Sequence, residues 1–308
     1  MSPIHWLGIV SGFLTAILMA CSYLASGWAI RRTSELNALT LLTNAFVWMG
    51  LFSAVGLAVT WRSELVSSGF WHRMAPVCGA LLFYSVAQIM MFMAQRKVDA
   101  SLLVPLMGLK LPMLLLLNIT LFHEHFTWLQ VLAVALTVTS AFLLNRTSRE
   151  VTPGAMGLVL LACLLFSLSD TCLQREIDLL QTELGFSAAL AAAHCTFLNY
   201  LLAGVIGVSF LIFDRRIRSR RPLLNSLPYA GFWIVSIVFL NLCFAILGTV
   251  NGNIIQSTRG IFAILFAPIL VACGLTYLEH QVSWGIIARR LAAASLMVLA
   301  IFLYNFHR

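Results

Sequence analysis

Apolar residues run along this chain in long unbroken stretches, separated by short polar breaks. The stretches are Trp6–Ile30, Asn37–Thr60, Ala75–Gln95, Ala100–Phe122, Trp128–Leu144, Ala155–Gln174, Ser187–Phe213, Leu227–Gly248, Asn253–Leu278 and Trp284–Tyr304. A bilayer core about 30 Å thick takes about 20 apolar residues as a helix, and all ten stretches reach or approach that length. The breaks carry charge, Gly or Pro, as in Arg31-Arg32-Thr33-Ser34-Glu35 and Gln95-Arg96-Lys97-Val98-Asp99. These runs are far longer than the ~10-residue alternating segments of an outer-membrane barrel. The pattern predicts an all-α polytopic membrane protein with ten transmembrane helices. No small-residue cleavage site with a basic leader precedes the first run, so it is read as a retained helix rather than a removed signal.

The two halves of the chain resemble each other. Glu124-His125-Phe126-Thr127-Trp128 follows the fourth stretch, and Glu279-His280-Gln281-Val282-Ser283-Trp284 follows the ninth, with the glutamates 155 residues apart. Pro76 and Gly79 match Pro228 and Gly231 at a separation of 152 residues. Val98-Asp99-Ala100 and Val250-Asn251-Gly252 keep the same separation. This order predicts two five-helix repeats, residues 1–149 and 150–308, in one integral unit. Five is odd, so the second repeat is expected to be inverted in the membrane. Inverted repeats mark secondary transporters, whose substrate sits at the repeat interface near the midplane.

Composition removes other classes. The chain is 61% apolar and 10% charged, against roughly 45–50% and 25% for an average soluble domain. The net charge is +8, but the basic residues lie in short breaks without a basic face, so they read as topology signals and not as a nucleic-acid surface. Thirteen Lys and Arg fall on the side of the breaks after odd-numbered stretches and four on the other, which puts both termini outside by the positive-inside rule. The seven Cys all lie in apolar runs, form no CxxC pair and read as packing residues. His123-Glu124-His125 has the wrong spacing for a helical metal site. There is no P-loop, dinucleotide turn or nucleophile elbow. Neither a cofactor nor a metal is expected, and the chain is not read as an enzyme.

Lys110 and Arg259 are the two basic residues left inside the stretches. A charge at the bilayer centre costs at least about 2.5–3.5 kcal/mol and is normally kept only beside a cavity or a partner. Counted from the ends of their stretches, Asp170, His194 and Arg259 share a depth on one side, with Lys110 deeper and without an acid at its level. One reading is a charged vestibule: Lys110 neutralises an anionic group, Arg259 assists, and Asp170 and His194 exchange protons. The other is an Asp170–Arg259 ion pair that only locks helices, with His194 hydrogen-bonded in the core. Tyr84, Gln88, Asn241, Asn44, Asn199 and Gln256 are further polar groups at membrane depth. Gln88 and Asn241 correspond under the repeat, so both are candidates to reach a central cavity together with Tyr84. Trp6, Trp61, Trp128, Trp284 and Tyr304 read as interface belts, and Pro105, Pro112 and Pro268 as breaks in two candidate gating helices.

Ten short-looped spans, a five-plus-five repeat, Pro105 and a Glu closing the fourth and ninth spans (Glu124 and Glu279) make the whole chain resemble the drug/metabolite transporter superfamily, in its EamA-like branch. Ser257-Thr258 stands where the second copy would carry the early Pro, so that part of the pattern is broken. The resemblance implies a bacterial inner-membrane carrier with alternating access, with the fourth and ninth spans lining the central cavity. It implies cytoplasmic termini, against the charge count.

The expected function is a secondary transporter of a small anionic or zwitterionic metabolite, such as an amino acid, organic acid or sugar phosphate. Its expected partners are that solute, protons, the lipid bilayer and a second copy of the chain. An exporter of amines or cationic drugs using Asp170 is the alternative, ahead of a channel or an intramembrane lipid enzyme.

Overall fold

A computed structural model describes residues 2–32, 37–66, 69–97, 103, 106–123, 125–145, 152–213 and 220–272, with scattered positions between 285 and 304. The elements are α1 (Pro3–Arg32), α2 (Ala38–Thr60), a 3-10 turn (Ser63–Val66), α3 (Phe70–Gln95), a second 3-10 turn (Met107–Leu109), α4 (Lys110–Phe122), α5 (Trp128–Asn145), α6 (Pro153–Leu184), α7 (Ala188–Phe213), α8 (Arg220–Leu247), α9 (Thr249–Ser257) and α10 (Arg259–Ala272). No strand occurs among the described residues.

Six helices, α1, α2, α3, α6, α7 and α8, are long and apolar enough to cross a bilayer. The chain is therefore an all-α, multi-pass membrane protein. The fourth and fifth stretches appear as the shorter helices α4 and α5. The ninth is split between α9 and α10. Most of the tenth stretch, the start of the fourth with Pro105, and Glu124 and Glu279 lie outside the described residues.

Local chemistry sets the helix ends. The side chain of Asn37 accepts a hydrogen bond from the Thr40 amide at 2.7 Å, and Thr152 accepts from the Ala155 amide at 3.4 Å ahead of Pro153. These satisfy amides that a helix start leaves free. α6 stops at Gly185, whose φ of 65° is the left-handed C-cap that glycine adopts without strain. Gly248, at φ 81°, turns the chain from α8 into α9.

One boundary differs from the sequence reading. The sixth stretch was expected to end at Gln174, before Arg175-Glu176, but α6 continues to Leu184. Glu176 is taken inside the protein, where Asn199 Nδ2 donates to its Oε2 at 2.6 Å. The charge that looks like a break in the sequence is a buried helical residue.

Three long pairings organise the bundle: α1 lies along α8, α2 along α7, and α3 along α6. α7 also packs on α8, α4 on α6, and α9 and α10 on α1. The α2–α7 crossing depends on glycine. A Cβ added to Gly50 or Gly204 would run into the other's Cα, and one on Gly207 would lie 2.9 Å from the Thr43 carbonyl. Small residues let helices approach this closely in lipid, where packing rather than the hydrophobic effect holds them together. α9 has the polar sequence Thr-Val-Asn-Gly-Asn-Ile-Ile-Gln-Ser and is buried at all of its positions, which is where polar residues at membrane depth belong.

Candidate functional site

Two of the helix starts carry a buried cation. The 3-10 turn Met107–Leu109 leads into α4, whose first residue is Lys110. At the end of α9 the Thr258 amide donates to the Ile255 carbonyl at 3.1 Å, a bond of the same tight kind, and α10 opens with Arg259. Both side chains reach one cavity lined from α1, α3, α4, α6, α7, α8, α9 and α10. Residues in the middle of the long helices line it, among them Tyr84 of α3, Asp170 of α6 and Trp233 of α8.

The two cations are treated differently. Lys110 Nζ lies 2.5 Å from Asp170 Oδ2, with both side chains buried. Asn253 Nδ2 donates to the same oxygen at 2.6 Å and to the Thr249 carbonyl at 2.9 Å. Ser167, one turn before Asp170, donates to the Lys110 carbonyl at 3.2 Å, so side chain and backbone both fix α4 to α6. Arg259 has no carboxylate partner among the described residues. Its terminal nitrogen reaches the Met19 thioether at 3.4 Å, its Nε has no hydrogen-bond partner, and its guanidinium lies 5.8 Å from the Tyr23 ring centre. A thioether is a weak acceptor. Met19 also accepts from Gln256 Nε2 at 3.0 Å.

Aromatic rings form much of the wall. Trp233 stands at their centre, 5.6 Å from Tyr84 and 5.7 Å from Tyr23, ring centre to ring centre. Tyr84 also meets Tyr200 at 5.7 Å and Phe166 at 6.1 Å. The Trp233 indole N–H donates to the Tyr200 hydroxyl at 2.5 Å, which ties α8 to α7. Such edge and tilted contacts hold rings more firmly than area burial alone. Two amides complete the wall. Asn241 Nδ2 donates to Thr196 Oγ1 at 2.9 Å, and Asn199 Nδ2 to Glu176. The Oδ1 atoms of both asparagines have no hydrogen-bond partner.

Of the residues singled out from sequence, the structure brings Lys110, Arg259, Tyr84, Asn241 and Asp170 around this one cavity. Gln88 and His194 are buried but do not line it. Neither amide atom of Gln88 has a hydrogen-bond partner. His194 packs against Phe186, with ring centres 5.3 Å apart. The expected grouping of Asp170 with Arg259 and His194 is corrected: Asp170 pairs with Lys110. Asp170 sits near the middle of a helix that runs past Gln174 to Leu184, deeper than the end of the apolar stretch implies. The ring wall of Tyr23, Phe166, Tyr200 and Trp233 was missed, as were Asn253 and Glu176. Tyr and Trp placed far from the ends of apolar stretches were the available signal, since interface belts occupy the ends.

No protein-family model and no curated protein matches the sequence. A protein of known crystal structure superposes on the chain with a TM-score of 0.59 and 13% identity, covering 96% of each chain. At that identity the likeness is one of fold.

Proposed function

We propose that the protein is a secondary transporter that carries a small organic anion or zwitterion by alternating access through the Lys110–Asp170–Arg259 cavity. The observation that carries this reading is a mid-depth cavity with buried charges, lined by helices from both halves of the chain. Charged groups survive in a membrane where they serve a solute path.

The pairing of helices supports the five-plus-five reading. Exchange of the first to fifth stretches with the sixth to tenth maps the α1–α8 packing onto α6–α3 and returns α2–α7 to itself. Gly50 and Gly204, at the centre of that self-paired contact, are 154 residues apart, between the two separations found in the sequence. α4 and α9–α10, the interrupted elements, then become equivalent. Interrupted helices around a midplane site are a recurring build of inverted-repeat transporters. Membership of the drug/metabolite transporter superfamily, EamA-like branch, and a place in a bacterial inner membrane belong to the same proposal.

The residues divide the work. Arg259 receives the solute's negative charge. Lys110 and Asp170 neutralise each other in the closed pair, and a proton taken by Asp170 would free Lys110, coupling proton and solute. Asn241, Asn199 and Tyr84 supply hydrogen bonds. The amine-exporter reading is the weaker one, because the only acid lining the cavity among the described residues is already held by Lys110 and Asn253.

The test is saturable uptake into proteoliposomes of charge-sorted solutes, with and without an imposed pH gradient. Anion or zwitterion uptake that the gradient drives, and that Arg259→Gln abolishes, is the expected result. Non-saturating conductance, or uptake of amines alone, would overturn the proposal.

A further inference from the structure

The cavity's charges, counted residue by residue, narrow the ligand. Among the described lining residues the formally charged groups are Lys110, Asp170 and Arg259. The first two face each other in a closed ion pair. One positive charge is left, on a guanidinium whose only hydrogen-bond acceptor among the described residues is a thioether. Burying an unpaired charge is costly, so a bound ligand gains most by bringing one negative charge to Arg259. A guanidinium presents a planar fork of donors that matches a carboxylate in two parallel bonds.

The rest of the wall sets the ligand's body. Tyr23, Tyr84, Phe166, Tyr200 and Trp233 line the space as one connected set of rings, with Tyr84 and Trp233 at its centre. Rings of this kind favour a flat partner that meets them edge-on or offset. The two unpartnered carbonyl oxygens, Asn199 Oδ1 and Asn241 Oδ1, each need a donor, which a ring N–H or hydroxyl provides. An ammonium group finds no free acid among the described lining residues, because Asp170 is already held by Lys110 and Asn253.

We infer that the cavity binds a flat-ring monocarboxylate carrying a neutral N–H or O–H donor, with its carboxylate on Arg259 and its ring among Tyr84, Tyr200 and Trp233. This inference rests on the transport reading for its purpose and on the cavity alone for its chemistry.

The experiment uses the full chain, purified in detergent and reconstituted in liposomes. Indole-3-acetate is the probe. Indole, acetate, tryptamine and tryptophan are compared with it at equal concentration by thermal shift and by quenching of tryptophan fluorescence. Indole-3-acetate should bind at least about tenfold more tightly than each of the others. Arg259→Gln should weaken it at least about tenfold, and Arg259→Lys by less, because charge is kept and only the planar fork is lost. If Arg259→Gln does not fold, the ligand ranking on the unmodified protein and the Arg259→Lys variant still decide. Tighter binding of tryptamine or tryptophan than of indole-3-acetate would overturn the inference, as would equal binding of acetate. If indole-3-acetate binds in detergent but is not carried by the liposomes, the ligand class stands and the transport reading falls. If the liposomes carry an acyclic acid or a sugar phosphate saturably, and indole-3-acetate does not compete, transport stands and the ligand class falls.

Discussion

Lys110 and Arg259 are both buried, both begin a helix directly after a tight turn, and both face the same cavity. They differ in what stands opposite. Lys110 meets a carboxylate that also accepts from Asn253. Arg259 meets sulfur and a tyrosine ring. A buried charge of the first kind belongs to the protein's own architecture, because removing it leaves its partner uncompensated. A charge of the second kind is available to a solute. Position along the chain does not separate the two, and only the surroundings do.

That difference is open to attack by substitution, and the largest effect is expected on binding. Arg259→Met should lower affinity for an anionic solute by about 2–5 kcal/mol, the usual cost of removing one member of a buried charge pair. Its melting temperature should stay at or above that of the unmodified protein, since no acid among the described residues is stranded. Isothermal titration alongside a thermal melt checks both.

Lys110→Met should do the reverse to the fold. It strands Asp170 in a buried site and should cost about 3–5 kcal/mol of stability, whereas Lys110→Met combined with Asp170→Leu should recover most of that loss, because an apolar pair of similar size replaces an ion pair at little cost. Detergent-resistance or urea unfolding of the two variants measures it.

Away from the charges, Gly204→Val should cost about 1–3 kcal/mol, because the new side chain overpacks the α2–α7 crossing against Gly50. Its effect should fall on stability and not on the choice of solute, which a melt and a ligand ranking distinguish.

The smallest change is Trp233→Phe. It keeps a ring in the wall but removes the N–H donated to Tyr200, and should cost about 1 kcal/mol in a melt. Greater loss of ring-carboxylate binding than of stability would sharpen the ring wall's role.

Much of this was legible in the sequence, for identifiable physical reasons. Six of the expected spans correspond to described helices long and apolar enough to cross a bilayer, because a bilayer demands long apolar runs. Lys110 and Arg259 stood out because a charge inside such a run is expensive. The partner of Lys110 was not legible. Arg175-Glu176 reads as the edge of the membrane, whereas Glu176 is buried against Asn199 and α6 runs on to Leu184. Gln88 and His194 show a second limit. Each was a candidate for the solute path by its depth in the sequence, yet neither lines the cavity. In helices that are apolar on their lipid side and their protein side alike, no polar stripe tells which way a side chain faces. Of the aromatic wall only Tyr84 stood out: the other Tyr and Trp given a role lay near stretch ends, whereas Tyr23, Tyr200 and Trp233 lie well inside their helices.

The most direct measurement is a pair of double-mutant cycles on stability, one for Lys110→Met with Asp170→Asn and one for Arg259→Met with Asp170→Asn. Partners in contact show interaction energies of about 0.5–3 kcal/mol, while groups without a shared contact add to within about 0.5 kcal/mol. The Lys110–Asp170 cycle should lie at the high end and the Arg259–Asp170 cycle below it by about 1 kcal/mol or more, on that scale. Equal coupling in the two cycles, or the larger value for Arg259, would contradict the assignment of Asp170 to Lys110 and with it the open charge on Arg259.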